Sequence, residues 1–125
     1  MEKLRLRTQL AWDLSFPTGA KKREVGFTID IQGTFSPFTK APKITWKQWW
    51  HGLGGTLGTA RPEPLGTIWG FHTHPFGRDP YPSRDDKDTS RLYNRPESMI
   101  GETQIGTFNP HAASNGEPAL RLLAR

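Results

Sequence analysis

His72 and His74, separated by a single threonine, close an apolar run in the middle of the chain. On a β-strand, residues two apart project from the same face, about 6–7 Å from one another. Both imidazoles can therefore reach one zinc ion at bond lengths of about 2.0–2.1 Å. Pro75 cannot donate to a sheet ladder, so we expect it to end the strand just beyond the second histidine. The sequence thus predicts a metal site at a strand end, open to solvent.

A second group of candidate residues follows a loop rich in proline and glycine. Ser83 has the side chain of a helix N-cap, and Asp86, three positions later, lies on the same side of the first turn. Acidic residues also suit the positive dipole end of a helix. Asp86 is therefore predicted to be the third metal ligand, with the Ser83 hydroxyl beside the metal. Asp85 is the alternative ligand.

Two histidines and one carboxylate leave a fourth tetrahedral position for water, which is typical of catalytic zinc rather than structural zinc. Zinc lowers the pKa of such a water towards about 7, and a general base must accept its proton. The best candidate base is Glu24, which precedes a strand and lies outside its apolar alternation. The alternative is that Glu24 only pairs with a neighbouring lysine or arginine.

The elements that must position these side chains follow from hydrophobic periodicity. Val25, Phe27, Ile29 and Ile31 alternate with smaller or polar residues and predict a strand. Residues 65–74 predict the central strand, and a short helix should begin at Ser83 and end before Pro96. The remaining predictions are a strand or an opening helical turn over 3–15, a proline-interrupted strand over 34–43, an irregular connection over 46–65, a hairpin from 99–100 and 103–108, and a last turn docked on the core at 120–123.

Composition limits the possible classes of protein. The 125 residues include 13 glycines and 11 prolines, so we expect one loop-rich domain over 1–125 with short strands and few helices. The absence of cysteine excludes disulfides and thiolate metal ligands. The sequence contains no apolar run of about 18 residues, so no membrane span is predicted. The N-terminus lacks the apolar stretch of a secretory signal.

The formal net charge of +5 is compatible with an acidic partner, including nucleic acid. The interleaved aromatic and basic residues of a single-strand binder are weakly represented, so nucleic acid is the less favoured partner. The one dense basic run, residues 21–23, is expected to be a solvated turn. Trp46, Trp49 and Trp50 are expected to anchor the long connection, with a position flanking the cleft as the alternative.

Taken together, Glu24, His72-Thr73-His74-Pro75 and Ser83 followed by Asp86 resemble the signature of JAMM (MPN-plus, JAB-domain) zinc metalloproteases. The resemblance extends from about residue 23 to residue 105. One departure is that eight residues separate His74 from Ser83, one more than the usual family spacing.

The resemblance implies an α/β (α+β) fold with a curved mixed sheet and one or two flanking helices. It implies Zn²⁺ bound by His72, His74 and Asp86, proton transfer by Glu24, and oxyanion binding by Ser83. It also implies hydrolysis of a peptide or isopeptide bond in a protein or peptide substrate, including ubiquitin-like proteins. The short basic chain is similar to bacterial or phage JAB domains, which predicts a cytoplasmic protein or the effector part of a larger one.

Other metal sites fit the sequence less well. A metallo-β-lactamase-like site requires an aspartate where Phe76 stands, and a cupin requires a glutamate well before Glu97. Barrel amidohydrolases need about 200 residues or more, and the zincin motif His-Glu-x-x-His is absent. The alternative outside enzymes is a non-catalytic MPN-like scaffold or a basic binding domain.

Overall fold

The computed structural model describes residues 2–17, 19, 21–50 and 63–125. This part of the chain forms a mixed sheet flanked by helices, which confirms the predicted α+β class. The elements in chain order are α1 (Glu2–Leu14), β1 (Val25–Asp30), β2 (Thr39–Lys40), α2 (Trp46–Trp50), β3 (Thr67–Thr73), α3 (Arg84–Tyr93), β4 (Glu97–Ile100), β5 (Gln104–Phe108), α4 (Ala112–Asn115) and β6 (Leu120–Ala124).

The six strands form one sheet in the order β2-β1-β3-β4-β5-β6. All neighbouring pairs are antiparallel except β3 and β4, which are parallel. Parallel neighbours need a long crossover connection, and α3 provides it here. The prediction that the histidine strand is central is confirmed, because β3 lies between β1 and β4.

The two faces of the sheet carry different chemistry. Directly paired residues project to the same face, and Phe27 pairs with Phe71 while Gly26 pairs with His72. The two phenylalanine rings stack at 4.7 Å between centroids and belong to a core that includes Ala11 of α1. His72 consequently projects from the opposite face, away from this core.

The prediction of a strand over 3–15 is wrong, since this segment forms helix α1 rather than only an opening helical turn. Even spacing of its leucines suggested a strand, but the buried positions Thr8, Ala11 and Ser15 recur at helical spacing. The Ser15 hydroxyl, just after the helix, lies 2.6 Å from the Thr73 hydroxyl. This contact attaches the end of α1 to the strand that carries the histidines.

The chain end also differs from its prediction. Residues 120–124 form the edge strand β6, paired with β5, instead of a last turn docked on the core. The local sequence gives a turn and a strand nearly equal support, and the free edge of β5 decides between them. The predicted hairpin over 99–108 is confirmed by the pairing of β4 with β5.

In the segment 34–43 only β2 is a strand, as expected from its prolines. The connection over 46–65 begins with the short helix α2, and residues 51–62 lie outside the described residues. No helix among the described residues has both the length and the apolar character needed to cross a membrane.

Candidate metal centre

The sheet places His72 by strand register. His72 pairs with Gly26 of β1 on one side and with Met99 of β4 on the other, so its position depends on both neighbours. The residue is buried, with 6% of its surface exposed. Its Nδ1 lies 2.6 Å from Oε2 of Glu97. Because Nδ1 donates to this carboxylate, Nε2 is the atom that faces the rest of the site.

His74 lies just past the end of β3, where the chain turns into the loop. Its Nδ1 is 3.0 Å from the backbone oxygen of Asp79. A carbonyl can only accept, so Nδ1 carries the hydrogen and Nε2 is left as the potential ligand. The Arg78 N–H donates to the His74 carbonyl at 2.8 Å and closes the turn. The loop backbone therefore orients this second imidazole.

The start of α3 orients the carboxylate. Ser83 is the N-cap: its hydroxyl accepts a hydrogen bond from the Asp86 N–H at 3.1 Å. The Asp86 carboxylate accepts in turn from the Ser83 N–H at 2.8 Å. This reciprocal capping box satisfies two backbone donors and fixes the carboxylate above the strand end. The predicted helix start at Ser83 is confirmed.

The three predicted ligands converge. The Nε2 atoms of His72 and His74 are 3.0 Å apart, and Asp86 approaches them with Oδ1 at 2.9 Å and Oδ2 at 3.1 Å. Two ligand atoms at about 2.05 Å from a tetrahedral ion are about 3.3 Å apart, so the spacing suits a zinc ion. Two imidazoles and one carboxylate are also a usual donor set for zinc. Asp85 is exposed and does not belong to this group.

His72 and Asp86 each shift the pKa of the other. Burial by itself would lower the pKa of His72, but Asp86, with support from Glu97, raises that pKa well above 6.5. Burial by itself would raise the pKa of Asp86, but His72 and His74 hold it well below its usual range. His72 therefore tends to hold a proton against Asp86, and any cation bound here must displace that proton.

Glu24 lies on the same side of the sheet as the histidines. It comes two residues before Gly26, the partner of His72, and it lines the same cleft as both imidazoles. Burial raises the pKa of its carboxyl, although the nearby His72 and His74 partly oppose this effect. A raised pKa suits a group that must accept a proton and then release it.

Sequence reasoning missed a buried ion-pair chain behind His72. Glu97 contacts the Arg95 guanidinium, which also contacts Glu63. Both Arg95 and Glu97 are buried, at 6% and 5% exposure. A signal was present in the sequence: two opposite charges flank Pro96 immediately before the apolar residues of a predicted strand, where burial would require them to be paired.

The cleft around the site has a volume of about 1470 Å³, larger than the roughly 300–1,000 Å³ of small-molecule sites. Aromatic side chains line it, among them Trp49 of α2, which stacks on Phe76 at 5.3 Å between centroids. Phe76 follows the second histidine by two residues. Trp49 therefore anchors α2 on the metal-site loop and also flanks the cleft, so both expectations for this residue hold.

Comparison with protein-family models, with curated proteins and with solved structures finds no match to this chain.

Proposed function

We propose that this protein is a zinc-dependent hydrolase of the JAMM type that cleaves a peptide or isopeptide bond. The observation that carries the proposal is the convergence of His72, His74 and Asp86 within one cleft that Glu24 also lines. Each of the three ligands is held by a different kind of contact: strand register, loop backbone and helix cap. Such a constellation is expected of a site that is organised before it binds its ligand.

A zinc ion held by these residues would supply Lewis acidity, which activates water and polarises a carbonyl. Among the site residues predicted from the sequence, Glu24 is the only carboxylate that is not assigned as a metal ligand. We assign to it the acceptance of the water proton and its delivery to the leaving amine. Its raised pKa reduces the energetic difference between those two protonation states at neutral pH.

Ser83 has a hydroxyl hydrogen available for the substrate. Its oxygen already accepts the Asp86 N–H, so the hydroxyl hydrogen can be directed into the cleft. We assign Ser83 to the oxyanion that develops when water attacks the carbonyl. The serine thus both caps the helix and donates to the reacting group.

The cleft supports a substrate larger than a metabolite. Its volume and its aromatic lining suit an extended peptide segment, such as the tail of a ubiquitin-like protein. We propose a protein or peptide substrate, with a phage-type peptidase or a bacterial effector as the biological setting.

The first experiment measures zinc content and chelator-sensitive cleavage of a panel of ubiquitin-like fusions and peptides. Glu24→Ala should retain zinc and lose hydrolysis, because it removes the base and leaves all ligands. His74→Ala should lose both. Equal zinc content in the wild type and in the His72→Ala/His74→Ala double variant would rule out the site. Zinc binding without cleavage in the wild type would instead favour a non-catalytic scaffold.

A further inference from the structure

We propose that Glu97, Arg95 and Glu63 form a positioning relay that holds the His72 imidazole as a metal ligand. This inference rests on the proposed zinc site and adds three residues to it. None of the three is a proposed zinc ligand, although all three line the cleft. Their role is to fix the ring orientation and the hydrogen at Nδ1, so that Nε2 presents its lone pair to the cation.

The relay runs from the ligand to the segment before β3. His72 Nδ1 donates to Glu97 Oε2, and the other carboxylate oxygen of Glu97 contacts Arg95. Arg95 donates to Glu63 through Nε at 3.0 Å and also through Nη2. Glu97 and Arg95 flank the start of β4, whereas Glu63 precedes β3. The relay therefore connects the ligand strand to a neighbouring strand and to the incoming chain.

The charge balance explains why three residues are needed. A carboxylate alone behind His72 would be a buried, unpaired charge, which is costly. Arg95 neutralises that charge, and Glu63 supplies a second carboxylate, so that two negative groups flank one positive group. The three residues together carry one net negative charge, and Glu97 is the one that contacts His72. An anionic partner at Nδ1 increases the ability of Nε2 to donate to a metal.

Gly70 supplies the space for this arrangement. Its position pairs with Glu97 in the parallel register of β3 and β4. A Cβ at residue 70 would overlap Glu97 Oε1 and would lie only 2.6 Å from Arg95 Nη2. Any larger residue would displace the relay, although Gly70 itself makes no contact with the ligands. A glycine in the central strand otherwise weakens a sheet, so its presence here has a packing reason.

The test measures zinc affinity by competition with a chromophoric chelator, using the full chain stripped of metal and then titrated with zinc. Glu97→Gln should weaken zinc binding by about 10- to 100-fold, the usual effect of losing such a partner. Glu63→Gln should weaken it less, because Glu97 and Arg95 remain. Gly70→Ala should also weaken zinc binding while it keeps every charge and every donor in the relay.

Glu117→Gln is the matched control. It removes an exposed carboxylate that pairs with Arg121, away from His72, and it should leave zinc affinity unchanged. A second readout follows the Nδ1 hydrogen of His72 by nitrogen-15 NMR in the zinc-loaded protein. That hydrogen should exchange slowly with solvent in the wild type and faster in Glu97→Gln, by a larger factor than the backbone amides of β3, which a general loss of stability would speed up equally.

Wild-type zinc affinity and slow Nδ1 exchange in both Glu97→Gln and Gly70→Ala would overturn the relay. If one of these variants does not fold, the other and Glu63→Gln decide the question. The outcome is separable from that of the proposed function. If zinc binds, and the relay variants weaken its binding as expected, but no hydrolysis occurs, only the hydrolase proposal is contradicted. If hydrolysis occurs and the relay variants keep the zinc affinity of the wild type, only the relay proposal is contradicted.

Discussion

The two sides of the site are built differently. On the sheet side, His72 is buried and is held by strand pairing and by the ion pairs behind Glu97. On the loop side, His74 and Asp86 are more exposed, and their contacts are with residues a few positions away in sequence. His74 contacts the backbone of Arg78 and Asp79, and Asp86 contacts the Ser83 cap. The sheet side therefore depends on residues distant in sequence. The loop-side side chains are oriented mainly by residues nearby, although the His74 N–H donates to the distant Ile100 carbonyl at 3.0 Å.

This difference indicates how the stability of each side should respond when its residues are substituted. Buried paired charges cost several kcal/mol when one partner is removed, so the sheet side should fail abruptly. A helix cap contributes only about 1 kcal/mol, so the loop side should lose stability in small steps while retaining its shape. The following predictions test this contrast.

The largest effect is expected for Asp86, the one loop-side residue that contacts both imidazoles. Asp86→Asn should weaken zinc binding at least about 100-fold, the upper end of the loss found when a hydrogen-bond partner of a ligand is removed, because it removes the only anionic member of the proposed ligand set. Asp85→Asn, one residue earlier and exposed, should leave zinc affinity unchanged. Chelator competition on the two variants provides the measurement, and a larger loss in Asp85→Asn would reverse the assignment of the third ligand.

A loop-side effect on activity without loss of metal is expected for Ser83. Ser83→Ala should reduce kcat by about 10²-fold, as for other lost oxyanion donors, and reduce the free energy of unfolding by about 1 kcal/mol. Zinc content should stay close to that of the wild type. Ser83→Thr keeps a hydroxyl in the same position and should recover most of the activity; a Ser83→Ala enzyme with full kcat would restrict the serine to capping.

The smallest effect concerns the pH dependence of the metal-free protein. Asp86 has a lowered pKa, so its contribution to stability is present above about 3.8 and is lost as the pH falls. His72 has a raised pKa, so its contribution is complete below about 6.5 and is lost as the pH rises towards that raised pKa. Above pH 6.5 the metal-free protein should therefore lose stability, by at most about 1.4 kcal/mol per pH unit for one proton.

Thermal or urea unfolding across pH 5–9, with and without zinc, gives the measurement. Zinc should reverse the trend, since its binding displaces a proton and so becomes tighter as the pH rises. Asp86→Asn removes one of the two acidic partners of His72 and leaves Glu97, so it should make the metal-free profile less steep. An equally steep loss in Asp86→Asn would place the cause outside this pair.

The contrast between the two sides also shows which features of the site could be predicted from the sequence. The spacing of His72 and His74, the stop at Pro75 and the cap at Ser83 follow rules that span two or three residues. The shared direction of the histidines and the cap appear in the structure, whereas β3 ends at Thr73, one residue before the predicted end at His74. The errors lie elsewhere. For α1 the prediction is a strand or an opening helical turn and misses the full helix, because alternate leucines mask a helical period. For β6 the prediction is a turn, because its strand character depends on the edge of β5.

The sequence by itself determined the donor types and their local geometry, since periodicity and capping act over a few bonds, and its family resemblance implied the α+β class. Only the tertiary structure decided which distant residues meet them. Strand register brings Gly26, and with it Glu24, to the side of His72, and the parallel pairing of β3 with β4 sets Glu97 behind it. Such pairings join residues 25 or more positions apart, where chain entropy and burial across the whole sheet, rather than local spacing, select the partner.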